Sequence, residues 1–189
     1  MPYATWHDGM TLASPVYLDA NVLVGVTVTK HWAYKPAARL LGELLATQAT
    51  ILVSLLAIQE SLWALARLSY YDLAGHLSDV FFGRKIYDKW RDRIFENHGE
   101  RMTTVPSMLQ AWFKAGVPLA VVSKAEPDFL KVAHLVPRYM HEYGLTPGDA
   151  AHLALAATHA KTFVTTDTDF EEAANSEPLA HLAVVQITK

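Results

Sequence analysis

Short apolar runs closed by acidic or turn residues alternate with stretches of helical periodicity along this 189-residue chain. Val16–Leu18 reads as a buried strand with Asp19 at its carboxyl end. Ala37–Ala46 carries Ala38, Leu41, Leu44 and Leu45 at helical spacing, and Thr50–Val53 reads as the next strand. Over Ser54–Leu68, the residues Leu55, Ile58, Leu62, Leu65 and Leu68 fall on one broad helical face. Strand, helix, strand, helix predicts a parallel sheet. Between 70 and 115 no strand pattern emerges. Asp72–Phe82, Lys85–Asn97 and Ser107–Ala115 read as helices punctuated by Gly83, Gly99 and Pro106. A strand at Val117–Val122 follows, then a helix over Pro127–Tyr143 interrupted near Pro137. The last third predicts a helix opened by Pro147-Gly148-Asp149, a strand at Phe163–Thr165, a helical turn at Phe170–Ala174 and a final strand at Leu182–Ile187. Ala150, Leu153, Ala154 and Ala157 give that helix a small-residue face suited to close packing on a sheet. The expected fold is α/β: three αβα layers around a central, mainly parallel sheet. One domain spans 1–189, with a helical insertion at about 70–115.

Composition narrows this only a little. With 51% apolar residues the chain has enough hydrophobic material for a core and is not disordered. The absence of cysteine excludes disulfides and thiolate-bound zinc. A net charge of −3 excludes recognition of nucleic acid by global basicity, so any such footprint must be local. The most apolar stretch, Ile51–Leu68, holds Gln59, Glu60 and Arg67, which favours a strand and buried helix over a membrane span. No basic segment followed by an apolar one opens the chain. A soluble, cytoplasmic protein without membrane association is expected.

The chemistry is carried by four acids that this order brings toward one sheet rim. Asp19 and Asp167 end strands, Asp149 opens a helix, and Glu60 lies in the helix after a strand. Sites in open parallel sheets form beyond the carboxyl ends of the strands. Converging carboxylates repel in a low dielectric, and a hard divalent cation such as Mg²⁺ or Mn²⁺ relieves that. Metal-assisted phosphodiester cleavage is the leading chemistry. Each acid also has a plainer role: Asp19 as a turn cap, Asp149 as a helix-start charge, Glu60 as a side chain reaching solvent, and Asp167 and Asp169 as an Asx turn. Asn21 either orients Asp19 or forms a turn. Thr165 or Thr166 either contacts phosphate or is a solvated loop residue. His152, three residues after Asp149, reads as a packing histidine or a proton shuttle.

The segments Val16-Tyr17-Leu18-Asp19-Ala20-Asn21-Val22-Leu23, Ser54-Leu55-Leu56-Ala57-Ile58-Gln59-Glu60, Thr146-Pro147-Gly148-Asp149-Ala150-Ala151-His152-Leu153-Ala154 and Val164-Thr165-Thr166-Asp167-Thr168-Asp169-Phe170 together resemble a PIN domain, the fold of VapC-like toxin ribonucleases. The resemblance implies that Asp19, Glu60, Asp149 and Asp167 are a catalytic quartet binding Mg²⁺ or Mn²⁺. Asn21, Thr165 and Asp169 would support them. It implies endonucleolytic cleavage of RNA and a toxin's place in a toxin–antitoxin pair, with an antitoxin protein covering the cleft. The stretch between Glu60 and Asp149 is longer than a minimal toxin needs.

Two other functions compete. A non-catalytic PIN-like module would bind RNA or protein without cutting. A phosphatase with a covalent aspartate would need a second Asp two residues after Asp19, where Asn21 stands. For substrate, Arg84, Lys85, Lys89, Arg91, Arg93 and Arg101 lie among Tyr87, Trp90 and Phe95, an arrangement able to stack unpaired bases. Asp88, Asp92, Glu96 and Glu100 are interleaved at ion-pair spacing, and a solvated helix face is the expectation. Trp32, Tyr34, Trp63 and Trp112 exceed what one core holds easily, which suggests a homodimer.

Overall fold

The computed structural model describes residues 3–75, 82–122 and 129–189. Six strands form one all-parallel sheet: β1 (Tyr3–Thr5), β2 (Val16–Leu18), β3 (Ile51–Ser54), β4 (Leu119–Val122), β5 (Thr162–Thr165) and β6 (Ala183–Gln186). Their spatial order is β1-β6-β5-β2-β3-β4. The described helices are α1 (Ala20–Thr27), α2 (Tyr34–Ala46), α3 (Leu55–Ala74), α4 (Arg84–Lys114), α5 (Phe129–Tyr143), α6 (Pro147–His159) and α7 (Glu171–Ala174). None is long and apolar enough to cross a membrane.

The alternation of side chains along each strand splits the core in two. Val16, Leu18, Ile51, Val53, Val164 and Val185 pack with residues of α1–α4 on one face. Tyr17, Leu52, Phe163 and Val184 pack with residues of α5–α7 on the other. This is the three-layer αβα arrangement. Strands buried on both faces need continuous apolar runs, and β2, β3 and β5 are buried at every position. Within the first layer, Gly25 allows the close approach of α1 and α2, since a Cβ there would lie 3.3 Å from Ala33 Cβ and 3.4 Å from Ala37 Cβ.

Several details differ from the sequence pattern. β1 is a three-residue edge strand, too short to show periodicity. α1 is rich in Val, Gly and Thr, residues of poor helix propensity, and is held by its Asp19 cap and by packing. The helix expected at Ser54–Leu68 continues to Ala74 and stops at Gly75, whose φ of 65° is the left-handed cap conformation. Asp72 is therefore in the last turn of α3 and opens no new helix. The remainder of the expected Asp72–Phe82 helix, residues 76–81, lies outside the described residues, as do residues 123–128 at the start of the expected Pro127–Tyr143 helix. The two later helices merge into α4, where non-helical dihedrals occur only at His98, next to Gly99. Pro106 and Pro137 lie inside α4 and α5 and end neither. Of the four surplus aromatics, Trp112 is buried and Tyr34 half-buried, while Trp32 and Trp63 are exposed at 40% and 41%.

Candidate metal centre

The chain leaves β2 toward β3 and β4 on one side, and later fills β5 and β6 on the other. The β2–β5 boundary is thus the topological switch point, where diverging connections leave a crevice. Asp19 sits there, immediately after β2. It caps α1: its Oδ1 accepts from Ala20 N–H at 2.6 Å. Its Oδ2 accepts from Thr165 Oγ1 at 2.8 Å, across the β2–β5 pair. Thr165 Oγ1 in turn accepts from Asp167 N–H at 3.0 Å, and Asp167 Oδ1 accepts from Asp169 N–H at 3.2 Å. Thr165 therefore ties the buried acid of β2 to the acidic loop after β5.

Two helices complete the crevice. Ser54, the last residue of β3, caps α3 by accepting from Ala57 N–H, and Glu60 follows one turn later. Thr146 caps α6, with Pro147 in its first turn and Asp149 among its free N–H groups. His152 lies one turn further and is buried. Its Nε2 is 2.7 Å from Glu60 Oε2 and 3.8 Å from Asp19 Oδ1. Its Nδ1 is 2.8 Å from Tyr17 Oη, which is 2.7 Å from Ser54 Oγ. When the imidazole is protonated the chain of donors is fully satisfied. Nε2–H donates to Glu60, Nδ1–H donates to Tyr17, and Tyr17 donates to Ser54. Glu60 also approaches the start of α6, where a Cβ on Gly148 would stand 2.9 Å from Glu60 Oε1.

The four predicted acids are not equally close. Ligand atoms of Asp19, Glu60 and His152 all lie within 4.8 Å of one another. Asp149 and Asp167 stand outside that group. Asp149 Oδ2 accepts from Thr146 Oγ1 at 2.5 Å, and Asp149 is half-buried. Electrostatically they still share one field: Asp167 and, more weakly, Asp149 push the carboxyl of Asp169 up. Among the supporting residues, Thr165 is buried beside Asp19. Asp169 is exposed, and Asn21 is exposed with no side-chain hydrogen bond among the described residues.

Burial pushes the Asp19 carboxyl up, and the neighbouring His152, Thr165 and Ala20 only partly offset it. Burial alone would lower His152. The hydrogen bond to Glu60 and the charges of Asp19, Glu60 and Asp149 outweigh it, so the imidazole is raised. Burial also holds the Tyr17 phenol far above its ordinary value, so it acts as a neutral hydrogen-bonding group. The raised imidazole shows that the carboxylates of this crevice favour positive charge, even where burial opposes it. Its donor set of hard carboxylate oxygens suits a divalent cation of the Mg²⁺ or Mn²⁺ type, with one imidazole nitrogen at the edge.

Sequence reasoning undervalued His152 and missed Tyr17 and Ser54. The signal for His152 was its place one turn after Asp149 on the same helix. Tyr17 and Ser54 carried none, because their partners are distant in sequence.

The PIN domain family model matches residues 16–176, a span that includes all four acids. The chain belongs to the PIN domain family. No curated protein matches it significantly. Among solved structures, it is similar to the crystal structure of VapBC2 from Rickettsia felis bound to a DNA fragment from their promoter. That match has 14% identity and a TM-score of 0.49, covering 89% of this chain and 96% of that one.

Proposed function

We propose that this PIN-family chain is a metal-dependent endoribonuclease, with Asp19, Glu60, Asp149 and Asp167 as its acidic site. The carrying observation is the buried Asp19 carboxylate, held by Ala20 and Thr165 and facing Glu60 across His152. Mg²⁺ or Mn²⁺ bound there would polarise a phosphodiester and acidify a water. Asp19 is fixed in place at no conformational cost during reaction. Glu60, 40% exposed at its side chain, is reachable by solvent and can take a proton from an attacking water. His152 positions Glu60 and lends compensating charge. Asp149 and Asp167 lie outside the Asp19–Glu60–His152 group, and their carboxylates would complete the shell of a bound cation.

The domain assignment is part of the proposal: one PIN-like domain over 1–189, in which the segment at about 70–115 is a helical insertion. A toxin's role with an antitoxin partner rests on the sequence resemblance alone. Co-purification of a small protein encoded beside this one tests it. Exposed Trp32 supports a homodimer, which sedimentation equilibrium tests.

The nuclease reading predicts cleavage of single-stranded RNA that requires Mg²⁺ or Mn²⁺, stops in EDTA and is lost in Asp19→Asn with the fold intact. A wild type that binds RNA and never cuts it with either metal would establish the non-catalytic module instead.

A further inference from the structure

The outward face of α3 continues from Glu60 away from the acidic crevice. At 3.6 residues per turn, Trp63 and Arg67 lie within about 60° of Glu60 around the helix, at ~4.5 Å and ~10.5 Å along its axis. The order on this face is acid, aromatic, cation. Trp63 is 41% exposed although it is a large apolar ring. It is not loose: its ring centroid lies 5.1 Å from that of Phe82 and 5.4 Å from that of Tyr87. Phe82 is itself buried against Tyr70, in the small core that joins α3 to α4. The indole is thus braced from behind and open to solvent. Arg67 is exposed, with no ion pair or hydrogen bond among the described residues. Arg84, at the start of α4 and one turn before Tyr87, is also available, since its side chain is 92% exposed and its contact with Asp88 is a loose 3.8 Å.

A solvated helix face does not account for a large indole that is both braced by two rings and 41% exposed. Arg91 and Arg138 are each turned onto a carboxylate of their own helix, Asp92 and Glu142, whereas the Arg67 guanidinium beside this indole is turned onto none among the described residues. Here a braced aromatic ring lies between a candidate metal ligand and an unpaired guanidinium. A protein partner that buried Trp63 would have to leave Arg67 in water or supply it with an acid. A nucleic acid strand supplies a stacking base and a phosphate at once.

We propose that the Trp63–Arg67 face of α3, braced by Phe82 and Tyr87, seats unpaired RNA beside the scissile phosphate. A base stacks on Trp63, and a neighbouring phosphate pairs with Arg67. The proposal rests on the ribonuclease reading and extends it: the substrate enters single-stranded along α3, and Trp63 and Arg67 are positioning residues for it.

The test is fluorescence anisotropy of a labelled, randomised single-stranded RNA octamer, in EDTA so that no strand is cut. Trp63→Ala should weaken binding by about 5- to 150-fold, the range for loss of one base–aromatic stack. Trp63→Phe should retain most of the affinity. Trp63→Leu, which fills the same apolar space without a π face, should not. Arg67→Ala should make the negative slope of log K against log salt shallower by about 0.7, one single-strand phosphate contact. Duplex RNA of the same length should bind more weakly than the single strand. The proposal is overturned by full affinity in Trp63→Ala, by equal affinity in the leucine and phenylalanine variants, by an unchanged salt slope in Arg67→Ala, by duplex binding as tight as single-strand binding, or by no binding of the wild type. Metal-dependent cleavage assayed in parallel separates this from the parent reading. Trp63-dependent binding without cleavage supports the seat and removes the nuclease; cleavage with Trp63-independent binding removes the seat alone.

Discussion

Helices α6 and α4 carry charge in opposite ways. On α6, His152 is buried to 1% and reaches Tyr17 and Glu60, residues 135 and 92 positions away. On α4, Arg91 and Asp92 pair with each other as chain neighbours, 56% and 80% exposed. A charge removed from water must find partners, and those partners must be built by the fold. A charge left in water needs none. What separates a candidate site from a solvated face is therefore long-range satisfaction of buried groups. The density of charged residues in the sequence is no guide to it, because α4 is the richer of the two helices in charge.

The strongest way to break this comparison is at Asp19. Asp19→Asn keeps an acceptor near Ala20 N–H and removes the charge. Cleavage should fall by more than about 100-fold, beyond the 10- to 100-fold typical of residues that merely support metal ligands. Binding of Mn²⁺ to the native state should raise wild-type stability by about 2.7 kcal/mol at a hundred times its dissociation constant, and should do nothing for the variant. In EDTA the variant should melt no lower than the wild type, because a carboxylate whose burial raises its pKa is destabilising when ionised. A variant that melts well below the wild type in EDTA would make Asp19 a structural cap.

His152→Ala tests the long-range network itself. It removes the imidazole between Glu60 and Tyr17 and leaves Tyr17 Oη with Ser54 as its remaining partner. Loss of one member of a buried ionic network costs about 3–5 kcal/mol. Urea unfolding at neutral pH reads this directly. A cost below about 1 kcal/mol would show that the pocket readily admits water, which contradicts its burial.

The order of elements was legible in the chain because buried parallel strands leave continuous apolar runs, and because Asp, Thr and Pro-Gly mark their ends. β1 was not, since three residues cannot display a period. α1 was not, since β-branched residues under a cap read as strand or loop. At the site, Asp19 and Glu60 could be nominated from their places at a strand end and in the following helix, and the fold brings them together with His152. The His152–Tyr17–Ser54 relay was invisible: Tyr17 looks like any aromatic of a core strand, and its partners are set by tertiary packing. Pro106 and Pro137 misled for a related reason. Packing of α4 and α5 tolerates the hydrogen bond that each proline removes.

A smaller effect is expected from Gly148→Ala at the start of α6. The new methyl would stand 2.9 Å from Glu60 Oε1, the far end of a flexible side chain that can move aside. Unfolding free energy should change by less than ~1 kcal/mol. Cleavage should drop about 10-fold, because the displaced carboxylate is the one placed to meet water. A loss of stability with cleavage unchanged would place the importance of this approach in packing alone.

The smallest effect belongs to α4. Arg91→Ala removes an exposed charge whose acidic partner is its own neighbour in sequence. Residues one apart on a helix do not face each other, so the pair gains little from the fold and is screened by salt. Melting temperature and cleavage rate should both match the wild type. The value of the experiment is as a floor for the others. A fall in cleavage at unchanged stability would mean that the charges of α4 handle substrate in the open, without buried partners. The contrast between α4 and α6 would then separate two functional surfaces, one that holds RNA and one that cuts it.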